Sequence, residues 1–207
     1  MNYIENLTSR YPELKFMENG VKRATEAVVD CYKRGGKILL CGNGGSAADS
    51  EHISGELLKG FMSKRCPTEE ELAKLSSALG SCDLAAKLQR GIPAIPLTSL
   101  TASLSAFAND VDPELVFAQL VFALSSPGDL LMCLSTSGNS LNVVRAAQAA
   151  KALGLTVVAF TGEGGGKLLE ISDLTLSAPE KETYKVQEYH LPIYHAICAE
   201  AEKILFG

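Results

Sequence analysis

His52 and Glu56 stand four residues apart, so a helix through them carries an imidazole and a carboxylate on one face. That pairing can move protons in general acid–base work or hold a metal ion. Directly before it lies Cys41-Gly42-Asn43-Gly44-Gly45-Ser46, a turn of small residues that follows the apolar run Leu39-Leu40. Such a turn suits an anion or a sugar hydroxyl, because amides at a helix start are unpaired and the helix dipole is positive there. A second turn, Ser135-Thr136-Ser137-Gly138-Asn139-Ser140, adds four hydroxyls to the same kind of amide array. Ser and Thr cap helices anywhere, but a cap uses one or two hydroxyls. Four of them match the acceptor oxygens of a terminal phosphate.

The chain has three histidines, His52, His190 and His195. Gln187, His190 and His195 fall on the last predicted helix. Any one of these histidines alone reads as a hydrogen-bonded interior residue. Two polar helix faces in a sequence so poor in histidine shift the weight toward a site. Asn109-Asp110 reads equally as a turn or as a pair of ligands for sugar hydroxyls. The first loop lacks Gly-x-Gly-x-x-Gly spacing, and Gly164-Gly165-Gly166-Lys167 lacks both the upstream glycine and the hydroxyl residue of a P-loop. The expectation is therefore no nucleotide cofactor.

The elements that must position these residues alternate between strand and helix. Apolar runs at 37–41, 92–97, 129–134, 156–160 and 174–177 predict five strands covered on both faces. Helical patterns occupy 4–34, 46–61, 102–109, 113–123, 140–153 and 183–205. This order predicts an α/β fold, a doubly wound five-stranded parallel sheet flanked by helices. The sequence shows neither an internal repeat nor a linker, so one domain over 1–207 is expected. The segment 62–90 breaks the alternation. Thr68 before Glu69-Glu70-Glu71 predicts a helix start, and Leu72, Leu75, Leu79, Leu84 and Leu88 predict one or two amphipathic helices. It reads as an excursion packed on the domain or on another subunit, or as a lid.

Composition removes several classes. A net charge of -5 argues against sequence-independent nucleic-acid binding, which needs a basic surface. No apolar stretch is long enough to span a bilayer. The N-terminus lacks a basic-then-apolar signal pattern, so a cytoplasmic location is expected. The six cysteines form no Cys-x-x-Cys pair, and Cys41 and Cys133 sit in apolar runs as small hydrophobes. A disulfide framework or thiolate metal site is therefore not expected.

Together these stretches resemble the phosphoheptose isomerases (sedoheptulose 7-phosphate isomerases) of the sugar isomerase, or SIS, domain superfamily. The resemblance runs in order through residues 41–46 with His52 and Glu56, then Asn109-Asp110 and residues 135–140. It continues through Thr161-Gly162 with Gly165-Gly166-Lys167 and ends on Gln187-Glu188 with His190 and His195. It implies a homotetramer that converts sedoheptulose 7-phosphate to D-glycero-D-manno-heptose 7-phosphate through an enediol. Glu56 would be the base and His195 the acid. Asn43, Gly44, Gly45, Ser46, Glu56, Asn109, Asp110, Ser135, Thr136, Ser137, Ser140 and Gln187 would hold the sugar phosphate. Some members bind zinc through residues matching His52, Glu56, Gln187 and His195.

The chain departs from the better-known members in two places. Segment 62–90 is longer than their connection by roughly two dozen residues, and Ala47 stands where they often carry histidine. Both departures bear on the substrate more than on the reaction type. The implied metal set carries a geometric tension. Gln187 and His195 are eight apart, about 12 Å along a helix and roughly 80° around it. Either both lean toward one ion, or one of them serves a neighbouring subunit's site; His190 competes as a ligand. Two other readings share these loops: an isomerase of a different sugar phosphate, and a non-catalytic phosphosugar sensor or scaffold.

Overall fold

A computed structural model describes residues 2–207. Its five strands are β1 (Ile38–Gly42), β2 (Ala94–Pro96), β3 (Leu130–Leu134), β4 (Thr156–Thr161) and β5 (Leu174–Ser177). They form one parallel sheet in the order β2-β1-β3-β4-β5. β1 and β3 are buried at every position, and β4 at all but its first. Side chains alternate between two cores, as strand geometry requires. Ile38, Leu40, Leu130, Met132, Leu134, Val158 and Phe160 point to one layer, while Leu39, Cys41, Leu131, Cys133, Val157 and Ala159 point to the other.

The first layer contains α1 (Tyr3–Arg10), α2 (Glu18–Lys33), α3 (Gly45–Leu58) and the 24-residue C-terminal helix. The segment expected as one helix over 4–34 is two helices, because Pro12 has no amide hydrogen and its ring clashes with the preceding turn. A 3-10 stretch, Pro12–Met17, fills the break. In segment 62–90 the structure forms α4 (Glu69–Leu79) and α5 (Cys82–Ala85). Thr68 and Glu71 build a reciprocal capping box at its start, at 3.2 Å and 2.8 Å.

The second layer is built from α6 (Thr101–Asp110), α7 (Val116–Leu124), α8 (Leu141–Ala152) and α9 (Leu168–Ile171). The last helix, α10 (Thr183–Phe206), returns to the first layer. Strand order reverses between β1 and β3, and both hydroxyl- and glycine-bearing turns leave the carboxyl ends of those two strands. That crevice is where ligands collect in open α/β sheets. Among the described residues no helix is long and apolar enough to cross a membrane.

Candidate active site

α3 and α10 lie side by side and run in the same direction, which sets the site's long axis. Near their starts a Cβ at Gly45 would lie 2.6 Å from Gln187 Nε2, so a side chain there would push the Gln187 amide aside. Further along, His52 Nε2 lies 3.4 Å from His195 Nε2 and 3.2 Å from Glu56 Oε1. Donor atoms of His52, Glu56 and His195 all fall within 4.8 Å of one another. Two imidazoles and a carboxylate at that spacing form a donor set suited to zinc. Burial, with the charge of His52 second, pushes the His195 imidazole below its ordinary value and favours its neutral form. Lys59 Nζ approaches the other Glu56 oxygen at 3.3 Å.

Gln187 does not join this cluster within one chain. It sits two turns up α10 from His195, about 12 Å by helix rise. Nor does His190 compete as a ligand. It is fully buried, and its Nε2 lies 3.1 Å from the Thr161 carbonyl. Burial pushes its imidazole down to about 4.

The two turns meet across the sheet through an amide pair. Asn43 Nδ2 donates to Asn142 Oδ1 at 2.9 Å, and Asn142 Nδ2 donates back to Asn43 Oδ1 at 3.0 Å. In the second turn Ser135 Oγ donates to Ser140 Oγ at 3.0 Å, and Ser137 Oγ accepts from the Asn139 amide. Thr136 and Thr183 hydroxyls stand 3.5 Å apart. The turn is tight because Gly138, at φ +65°, packs on the Gly165 carbonyl with no space for a side chain. The glycine run therefore acts as a backing wall for this loop. Ser46 is buried at the first turn of α3, while Asn43, Gly44 and Gly45 are exposed.

Asn109 and Asp110 lie at the far end of α6, exposed and bonded to each other at 2.8 Å, with no hydrogen bond to either turn.

Three residues at the site carry no recognisable motif. Asn142 looks like any polar residue in a helix's first turn. Tyr194 places its hydroxyl 3.0 Å from His52 Nδ1 and 3.2 Å from Asp49 Oδ1. Asp49 stands three residues before His52, on the same helical face, which is the one signal that could have found it. Burial lifts the Asp49 carboxyl above its ordinary value, and the Tyr194 hydroxyl draws it back down.

The sequence profile of the SIS domain matches residues 2–92 and 89–162, two segments that meet at the end of the 62–90 excursion. A phosphoheptose isomerase of Shewanella baltica is 35% identical over 99% of this chain and 93% of its own length. One from a Roseiflexus species is 41% identical over 87% of this chain and 80% of its own. Among solved structures, the phosphoheptose isomerase of Neisseria gonorrhoeae superposes with a TM-score of 0.76 at 32% identity, covering 96% of this chain and 94% of that one. The phosphoheptose isomerase of Francisella tularensis gives 0.78 at 28% identity, covering 95% and 92%. With sequence and fold in agreement along nearly its whole length, the chain belongs to the phosphoheptose isomerase family of SIS-domain proteins.

Proposed function

We propose that the protein isomerises sedoheptulose 7-phosphate to D-glycero-D-manno-heptose 7-phosphate, with Glu56 as base and His195 as acid. The observation that carries this reading is the convergence of Glu56 and His195 on His52, on the helix that begins at the anion-suited turn. Glu56 removes the proton from the carbon beside the carbonyl, and His195 protonates or hydrogen-bonds the carbonyl oxygen, giving an enediol. Return of that proton from Glu56 to the neighbouring carbon, while the hydroxyl on the first carbon gives its proton back to His195, forms the new carbonyl and restores both groups. The neutral form favoured for His195 lets it donate only through a ring N–H, and Lys59 keeps a positive charge beside the Glu56 carboxylate.

Residues 43–46, 135–137 and Ser140 would hold the phosphate and the adjoining hydroxyls. Ser46 and Glu56 are ten residues apart on α3, about 15 Å by helix rise. That separation favours a long sugar chain over a triose. His52, Glu56 and His195 would hold zinc, which would supply Lewis-acid polarisation of the carbonyl. Gln187, packed against Gly45, would meet the phosphate end of the same site, while Asn109 and Asp110 would reach a substrate from another copy of the chain. Exposed apolar side chains on and near α6 and α7, Val111 at 65% and Phe122 at 69%, support the homotetramer that the family resemblance implies.

The test is an NMR assay of zinc-supplemented protein with sedoheptulose 7-phosphate beside Glu56→Gln. Formation of an aldoheptose 7-phosphate, lost by at least about 10³-fold in the variant, is expected. No turnover by the wild type, with phosphosugar still bound, would favour a sensor or another substrate.

A further inference from the structure

Tyr194 has one hydroxyl hydrogen and two acceptors competing for it, Asp49 Oδ1 at 3.2 Å and His52 Nδ1 at 3.0 Å. The tyrosine is 1% exposed, so water does not arbitrate. Asp49 receives no other hydrogen bond from a side chain or the backbone among the described residues, and its Oδ2 is buried without a partner. If the hydroxyl pointed at His52, the half-buried carboxylate would have no donor among the described residues, at the cost of a partly desolvated charge left unsatisfied. Pointed at Asp49, it makes a charge-assisted bond, and its oxygen can accept from a protonated Nδ1. Every atom of the trio is then satisfied except Asp49 Oδ2.

The proton on Nδ1 leaves Nε2 of His52 bare. That nitrogen is the atom facing Glu56 Oε1 and His195 Nε2. A bare nitrogen 3.2 Å from a carboxylate oxygen sets two lone pairs against each other, an arrangement that a cation between them relieves. We propose that Asp49 and Tyr194 form a relay that holds His52 as its Nδ1–H tautomer, presenting Nε2 as a ready ligand to a divalent cation shared with Glu56 and His195. The relay deepens the proposed reading of this site and makes Asp49 and Tyr194 positioning residues.

The test is a long-range ¹H–¹⁵N spectrum of metal-free protein at about pH 8, above the ordinary imidazole titration. With three histidines the rings are separable. His190 serves as internal control, since its Nε2 must donate to the Thr161 carbonyl and so carries the proton. In the wild type His52 should show a pyrrole-type Nδ1 and a pyridine-type Nε2. In Tyr194→Phe and in Asp49→Asn the pattern should invert, with His190 unchanged as proof of an intact fold. Zinc binding measured by competition with a chelator should weaken about tenfold in each. An Nε2–H wild-type ring would overturn the relay, as would an unchanged tautomer in both variants. No substrate enters this measurement, so failure of the isomerase reading would show in the turnover assay alone.

Discussion

Arg65 and Glu202, 137 positions apart in the chain, meet at 2.7 Å in an ion pair with side chains 0% and 2% exposed. Around it the remaining polar capacity is filled. Glu202 also accepts from the amides of Phe61, Met62 and Ser63. Arg65 donates to the carbonyls of Glu56 and Leu57 at the end of α3. The Phe206 ring lies 5.1 Å from the Arg65 guanidinium and 5.2 Å from that of Arg90. Burial works to raise the Glu202 carboxyl, but the Phe61 amide and the Arg65 guanidinium outweigh it and hold it below its usual value. The helix that carries Glu56 is thereby clasped to the helix that carries His195.

Breaking this pair should be costly because it leaves a buried charge without its counterion. Arg65→Met and Glu202→Gln are each expected to lose about 3–5 kcal/mol in urea unfolding. A loss under about 1 kcal/mol for both would mean that the clasp contributes little to the fold.

The 62–90 excursion leaves and returns at one point, where the Arg90 amide donates to the Arg65 carbonyl at 2.8 Å. Between those residues only Ala85 is buried. Replacing residues 66–88 with a short Gly-Ser link should therefore keep a cooperative thermal transition, with Tm within about 5 °C of the parent. Loss of cooperativity on melting would show that the helical hairpin contributes to the core.

At the two turns, the Asn43–Asn142 amide pair and the Ser135–Ser140 hydroxyl pair present polar groups that, in the proposed reading, would bind ground and transition state alike. Asn142→Ala and Ser135→Ala should raise KM by about tenfold with little change in kcat. Steady-state kinetics that instead show kcat falling with KM unchanged would move these residues to the reacting end of the site.

His190 gives stability a pH dependence with a definite sign. Its imidazole is held down to about 4 by burial, while in the unfolded chain it titrates at its ordinary value near 6.5. The unfolded chain therefore takes up the proton first. The stability is fully present above about 6.5, declines as pH falls toward 4, and levels off below, a span of about 3 kcal/mol. Urea unfolding at about pH 7 and about pH 4 should show that much less acid sensitivity in His190→Phe than in the parent. Equal slopes would mean that the ring charges inside the fold without cost.

The sheet was legible because strands buried on both faces leave near-continuous apolar runs, as in Leu130–Leu134. The helix start at Thr68 was legible because capping chemistry is local. The break at Pro12 is hidden from periodicity, because apolar spacing continues through it and proline's backbone consequence lies in geometry rather than pattern. His52 and Glu56 declared themselves by spacing, and their meeting with His195 rested on the family resemblance until the helices were placed together. His190 stayed open because burial, which decides its role, is a property of the assembled fold. Arg65 and Glu202, separated by most of the chain, offered no local signal, and the same holds for Tyr194 beside Asp49 and His52.

Because α3 and α10 advance together, Gln187 against Gly45 and His195 against His52, the two ends of the site are graduated like marks on a ruler. Inserting a single helical turn in both helices between these marks would lengthen the site by about 5.4 Å without altering any chemical group. Inserting it in one alone would slide His195 out of line with His52 and Glu56. In the proposed reading, substrate length would be set in whole turns of backbone, so this scaffold would accommodate longer or shorter sugars by steps rather than by gradual loop adjustment.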